Sequence, residues 1–273
     1  MFRQVKYWRI LSRGGGKMPE QYIVQPVAKA LQVLEYVAGE ARDLSLAMIC
    51  EHTGFPKTTT FRYLQTLRRA GFVSYDPRSD RYRAGVRLWV LGQSAAGRPA
   101  VCEVAVPVMK SLRDRFNETV NLAELDGSEV VYVEMVESRR SLRMQAKVGS
   151  RDPAYCTSVG KAMLANVPPE RLAEYLPERL MARTHDTITS VGALRRELAL
   201  VREQGFAIEQ GENEEGACCI GAPIFLSEGA VIAGISVSAP ASRMTRSLER
   251  EVAAAVVESA AAIAEHLRAL GAR

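Results

Sequence analysis

Histidine is scarce in this chain: three residues, His52, His185 and His266, in 273 positions. None stands at ligand spacing from cysteines or carboxylates, so no metal site is indicated, and no cofactor motif is present. The five cysteines, Cys50, Cys102, Cys156, Cys218 and Cys219, are scattered, odd in number and without a C-x-x-C pair. That speaks against a disulfide frame or a zinc knuckle and for a reducing cytoplasm. No apolar run approaches the roughly 20 residues that span a bilayer. Residues 1–17, MFRQVKYWRILSRGGGK, are basic but lack the continuous apolar centre and small-residue cleavage site of a secretory signal. No internal repeat is visible, and no low-complexity segment beyond this leader.

What is present is an uneven charge. Residues 1–97 carry 15 Lys and Arg against 7 Asp and Glu, whereas the remainder carries 21 against 24. A basic front joined to a mildly acidic back suits a nucleic-acid reader attached to something else. Five of the front's basic residues (Arg3, Lys6, Arg9, Arg13 and Lys17) lie in the leader, and without them the front's excess is only +3. The leader ends in three glycines followed by Met18, and reads as either a flexible basic arm or a mis-assigned start. Length and an ordinary hydrophobic content of 47% allow two domains with full cores.

The chain is organised around 46–70, LAMICEHTGFPKTTTFRYLQTLRRA. Ser45 is a candidate cap for a first helix with Leu46, Ile49 and Cys50 on its inner side. Gly54 permits a sharp turn with Phe55 packed beneath it, and Pro56 stops continuation. Thr58 is the expected N-cap of a second helix whose inward stripe is Phe61, Leu64 and Leu67. Its outward face offers groups that reach phosphates or base edges. The candidates for DNA contact are Lys57, Thr58, Thr59, Thr60, Arg62, Tyr63 and Arg69, with Thr60 equally able to sit half buried beside Phe61. This is the layout of a helix-turn-helix. An αα-hairpin in a core would share it, but a helical period over 26–38 precedes the stretch and two strand-like runs, 72–75 and 81–83, follow it. Together these form a winged helix, with Arg78 and Arg81 on the wing positioned for the DNA backbone.

A helical run from Arg87 is interrupted at Gly97-Arg98-Pro99, the expected linker, and resumes over 100–116 around Pro107. Its Val104, Val108 and Leu112 are available to dock on a second domain or a partner subunit. The remainder alternates: a hairpin over 121–125 and 129–136, a strand over 141–148, helices over 158–165, 169–176 and 192–204, and strands over 206–209, 218–226 and 231–238. The last two strands pair across Ser227-Glu228-Gly229, and an alanine-rich helix over 248–270 closes the chain. The expected class is α+β, in two domains. The boundaries are a leader at 1–21, a winged helix-turn-helix at 22–85, linker helices at 86–117 and a second domain at 118–273.

Several blocks over about 22–267 resemble the IclR family of bacterial transcriptional regulators. They are the winged helix, TSVGKAMLA at 157–165, GFAIEQGENEEGACCIGAPIF at 205–225, and SVSAP at 236–240. Gly205, Glu209, Glu212 and Cys219 occupy positions of the family signature. Glu209 stands where aspartate is usual, which suggests a smaller pocket floor, and Leu226 stands where an acid or amide is usual. The resemblance implies a DNA-reading winged helix, a dimerising linker helix and a GAF-like C-terminal antiparallel sheet flanked by helices, which binds a small organic acid. It also implies dimers or tetramers on palindromic operators. The effector pocket carried over by the motifs comprises Ser158, Val159, Gly160, Glu209, Cys219, Ser236 and Ser238, with Tyr155 and Cys156 at its rim. The run PAYCTSVGKAMLA is similar to that of members responding to aromatic acids. Helix-end N–H groups at 158–160 favour a carboxylate. Ser236 and Ser238, two apart on a strand, share one face. The bland alternatives are that these small residues only pack and that Cys219 is a buried small hydrophobe.

Two other functions compete. One keeps the DNA reader and makes the back half a ligand-free dimerisation domain. The other is a cysteine-dependent enzyme with Cys219 as nucleophile, His185 as base and Glu209 or Asp186 as orienter. No histidine stands in a motif that pairs with a cysteine, and a catalytic domain needs no winged helix. The reading is therefore a non-enzymatic, effector-modulated DNA-binding regulator.

Overall fold

Pro26 sits in the first turn of α1 (Gln25–Gly39), where a missing N–H costs nothing, and Val33, Leu34 and Val37 turn inward. Ser45 caps α2 (Leu46–Thr53), its hydroxyl accepting from the Met48 N–H at 3.3 Å. Gly54 follows in the left-handed region at φ 70°, which a side chain would resist, and closes the helix with an N–H bond to the Cys50 carbonyl. These data come from a computed structural model that describes residues 23–95, 99–226 and 231–270. The leader at 1–21, the expected break at Gly97-Arg98 and the turn Ser227-Glu228-Gly229 lie outside the described residues.

Helix α3 (Lys57–Arg69) starts two residues earlier than its composition suggests: Pro56, not Thr58, stands at the N-cap. Its buried stripe is Thr60, Leu64 and Leu67, and Phe61 points outward with 45% of its surface exposed. Steps of three residues drift around a helix by about 60° each, so 61, 64 and 67 cannot hold one face as well as 60, 64 and 67. Thr60 tolerates burial because its hydroxyl donates to the Pro56 and Phe55 carbonyls at 3.2 and 3.4 Å. Strands β1 (Val73–Asp76) and β2 (Arg81–Ala84) pair antiparallel, and Leu44 bridges to Tyr82. Ile49, Leu64, Val73 and Tyr82 belong to the core of this winged helix. Helix α4 (Val86–Ala95) follows.

The chain divides into two compact units, the first ending at Pro99 and the second running from Ala100 onward. The second unit opens with α5 (Pro99–Phe116), which contains Pro107 and buries Val101, Ala105, Met109 and Leu112. Then come β3 (Thr119–Asp126), β4 (Glu129–Val136), β5 (Arg151–Pro153), α6 (Ser158–Leu164), α7 (Val191–Gln204), β6 (Ala207–Gln210), β7 (Ala217–Phe225), β8 (Val231–Pro240) and α8 (Arg246–Ala269). Six strands form one antiparallel sheet in the order β5-β4-β3-β8-β7-β6. The expected strand over 141–148 is not formed. That segment is a loop, and pairing resumes only at β5. The expected helix over 169–176 shrinks to a single 3-10 turn at Leu172–Tyr175.

Alternation along the strands sorts the sheet into two unlike faces. Val120, Leu122, Ile220, Ile235 and Val237 face the apolar layer that α5 and α8 complete. The opposite face meets α6 and α7 at one end. Beyond these helices the same face carries a polar row that crosses β6, β7, β8 and β3. No helix among the described residues is long and apolar enough to cross a membrane.

Candidate functional site

The polar end of the second face forms a cavity of about 330 Å³. Strand register explains its floor. Glu209 pairs with Cys219, Cys219 with Ser238, and Ser238 with Thr119, so one row of side chains crosses β6, β7, β8 and β3. All four line the cavity. Asn121, two residues on, donates through Nδ2 to the Ser238 hydroxyl at 3.0 Å, while its Oδ1 is buried without a partner among the described residues. Tyr132 of β4 and Asp152 of β5 complete one wall, the phenol donating to Oδ2 of Asp152 at 3.3 Å.

The loop at 137–150 forms the other wall. Thr119 donates to the Met144 carbonyl at 2.8 Å, and Arg243 donates to the Leu142 carbonyl at 3.2 Å. Arg243 is itself held by a bidentate pair with the buried Glu118 at 2.6 and 2.7 Å. Three exposed cations, Lys147, Arg151 and Arg183, stand at the cavity's edge, Arg151 paired with Asp126 and Glu129 and Arg183 3.6 Å from Asp152.

Burial dominates the electrostatics. It raises the carboxyls of Glu209 and Asp152 above their ordinary values, against the hydrogen bond that Glu209 accepts from the Asn213 N–H at 3.0 Å and against the charge of Arg183. The Tyr132 phenol is likewise raised. Burial, then the charge of Glu209, pushes the Cys219 thiol well above its usual range, and burial pushes Cys156 up to about 12. Such thiols stay protonated and are poor nucleophiles. His185, the base of the enzyme alternative, is exposed beside Asp186 and Glu215 and does not line the cavity.

Of the seven expected effector residues, Glu209, Cys219 and Ser238 come together here. Ser158, Val159, Gly160 and Ser236 are buried but line no part of the cavity. The start of α6 is packed instead against the glycines of β7 and β8. A Cβ on Gly221 would lie 2.8 Å from the Val159 nitrogen, and one on Gly234 would lie 2.4 Å from Val159 Cγ2. The Gly160 N–H is taken by the Thr157 hydroxyl at 3.2 Å. Tyr155 donates to the Met181 carbonyl at 2.6 Å, and Cys156 contacts Asn213 Oδ1 at 3.6 Å.

Sequence reasoning missed Asn121, Tyr132, Asp152 and Arg183, which come from segments far apart in the chain. It also missed Lys161. This lysine of α6 is fully buried, and its ammonium donates to the Ile208 carbonyl at 2.9 Å while pairing with Glu212 and with Glu197 at 3.3 Å. It thereby ties α6 to β6 and to the turn carrying Asn213. A lysine inside a short helix bounded by apolar residues was the available signal.

In the winged helix, Lys57, Thr58, Arg62 and Arg69 are exposed along α3, and Thr59 is partly so. Thr60, expected among the DNA contacts, is instead fully buried, for the reason given above. Tyr63 is half-buried edge-on to Phe55, with ring centroids 6.5 Å apart. Arg78 is exposed at the wing turn, where its N–H donates to Asp76 at 2.9 Å, whereas Arg81 turns its guanidinium onto Met48 Sδ at 3.4 Å.

Residues 26–77 match the IclR helix-turn-helix domain, and residues 93–265 match the C-terminal domain of the bacterial transcriptional regulator IclR. The chain belongs to the IclR family. It is 34% identical over 239 residues to the HTH-type transcriptional regulator KdgR of Escherichia coli, covering 87% of this chain and 90% of that one. Among solved structures, IclR of Thermotoga maritima superposes with a TM-score of 0.74 at 32% identity, covering 90% of this chain and 99% of that one. An IclR homologue from Microbacterium hydrocarbonoxydans, complexed with 4-hydroxybenzoate, gives 0.76 at 29% identity over 89% of this chain and 99% of that one. As an IclR-family member the protein is a DNA-binding transcriptional regulator with an effector-binding C-terminal domain.

Proposed function

We propose that the cavity above Glu209 is the effector pocket and that its occupant is a small organic acid bearing at least one hydroxyl. The observation that carries this is the division of the cavity between a buried floor rich in acceptors and an edge with exposed cations. Glu209, Asp152 and the unpartnered Asn121 Oδ1 can accept from a ligand hydroxyl, and Lys147 and Arg183 can pair with a carboxylate. A ligand such as 4-hydroxybenzoate, bound by the Microbacterium relative, carries both groups. Glu209, Cys219 and Ser238 touch the ligand in this reading. Ser158, Val159, Gly160 and Ser236 act from behind by holding the floor. Cys219 serves as a small, protonated lining group, and no catalytic step is assigned to the protein.

Operator binding then falls to α3 and the wing: the exposed Lys57, Thr58, Arg62 and Arg69, the half-buried Thr59 and Tyr63, and Arg78 and Arg81 toward the backbone. We place the protein in the cytoplasm, as a homodimer or homotetramer on a palindromic operator. Effector binding changes how paired DNA-binding units match the half-sites, transmitted through the helices of 86–117.

Thermal unfolding in the presence of matched pairs, benzoate with 4-hydroxybenzoate and butyrate with 3-hydroxybutyrate, tests the effector class. The hydroxylated member should stabilise the protein more in at least one pair, by mass action on the folded state. Equal stabilisation within both pairs would remove the hydroxyl from the reading. No response to any of the four would favour a ligand-free dimerisation domain.

A further inference from the structure

Phe61 is a large apolar side chain placed where α3 otherwise offers charge and amide. It is the fifth residue of the helix and 45% exposed. Its neighbours one turn away are Lys57, Thr58 and Gln65, and Arg62 follows it. The inward direction of α3 is set by Thr60, Leu64 and Leu67, which are buried, so Phe61 projects from the flank roughly a quarter-turn away from them. Nothing in the winged-helix fold requires an aromatic ring at this position. The buried Thr60 beside it fills the place that the helix reserves for its core.

The N-terminal half of a recognition helix is the part that reaches base edges in the major groove. There, the feature that an apolar side chain can read is the C5-methyl group of thymine, and no other base carries such a group in the groove. We infer that Phe61 is a specificity-determining residue that reads a thymine methyl in each operator half-site, between bases or phosphates met by Lys57, Thr58 and Arg62. The inference rests on α3 lying in the major groove. Burying one methyl against the ring should favour thymine over the same base without its methyl by about fourfold.

In vitro selection from randomised duplexes, with the full-length protein, gives the half-site preferences of wild type, Phe61→Ala and Arg62→Ala. Phe61→Ala should lose a thymine preference at one position per half-site while the other positions keep theirs. Replacing that thymine with deoxyuridine should weaken wild type about fourfold and leave Phe61→Ala unaffected, whereas Phe61→Leu should retain part of the discrimination. Phe61 is exposed, so its variants should unfold at the wild-type temperature, and a shared Tm confirms that specificity alone is being read. Identical selected sites for wild type and Phe61→Ala, with Arg62→Ala altered, would overturn the role of Phe61 while keeping α3 in the groove. If Arg62→Ala were also unchanged, the placement of α3 itself would fall. Loss of specificity in Phe61→Ala without any effect of uracil on wild type would overturn the methyl contact.

Discussion

Lys161 illustrates how one side chain can organise a site that it does not line. Its ammonium is fully buried, and Glu212, whose side chain is 10% exposed, depends on it because the other carboxylate oxygen has no partner among the described residues. Removing one member of a buried pair leaves an uncompensated charge, at a cost of about 3–5 kcal/mol. Lys161→Met should therefore destabilise the protein by about that amount in urea unfolding, and adding Glu212→Gln should recover part of the loss. A single variant as stable as wild type, or a double variant no better than the single, would contradict this. Glu209 yields a prediction of another kind. Burial raises its carboxyl above the ordinary 4.5, so the folded state binds the proton more tightly than the unfolded state. The stabilisation is complete below 4.5 and is lost as pH rises through the folded value. Glu209→Gln can still accept from the Asn213 N–H but does not titrate. In ligand-free protein its Tm should fall less steeply than wild type's as pH rises above 4.5, and parallel slopes over that window would refute the assignment.

At the scale of elements, the seat of α6 depends on what β7 and β8 lack. A Cβ on Gly221 would meet the backbone of Ser158 and Val159 at 2.8–3.0 Å, and backbone atoms cannot swing aside. Gly221→Ala should cost about 1–3 kcal/mol in urea unfolding by forcing α6 away from the sheet. An unchanged midpoint would show that the helix has room to move. The same contact explains what the sequence could and could not disclose. Helices α1, α2, α7 and α8 and the long strands were legible because a period of 3.6 or 2, a serine cap or a terminal glycine marked each one locally. The winged helix and the α+β class followed from their order. A stripe drawn through apolar residues alone places Phe61 in the core, because it passes over a threonine that buries its own hydroxyl. Small residues at a helix end suit an anion, which points the start of α6 to the pocket, and no local pattern says that two glycines 62 and 75 residues beyond Val159 cover it. Glu209, Cys219 and Ser238 were found through motif blocks. Asn121, Tyr132 and Asp152 join them only through sheet register, which the sequence does not display.

On the scale of the whole molecule, the charge of the chain is partitioned as its tasks are: 15 basic against 7 acidic residues up to position 97, and 21 against 24 beyond it. The basic part favours DNA without reading it, since neutralised phosphates release counterions whatever the sequence. Under the proposed assignment, specificity arises in the exposed side chains of α3 and its control in the pocket of the second unit. If the effector acts by shifting an equilibrium between two arrangements of the protein, the coupling must be reciprocal. Operator affinity measured with and without a saturating effector should differ by about 5–150-fold, and effector affinity measured with and without operator duplex should differ by the same factor in the same direction. Arg62→Ala and Arg69→Ala should weaken operator binding yet leave the effector affinity of free protein untouched. Glu209→Gln should weaken effector binding and leave effector-free operator binding intact. Operator affinity that stays constant at an effector concentration shown by calorimetry to saturate the pocket would sink the two-state coupling, and the pocket would then need another role than control of DNA binding.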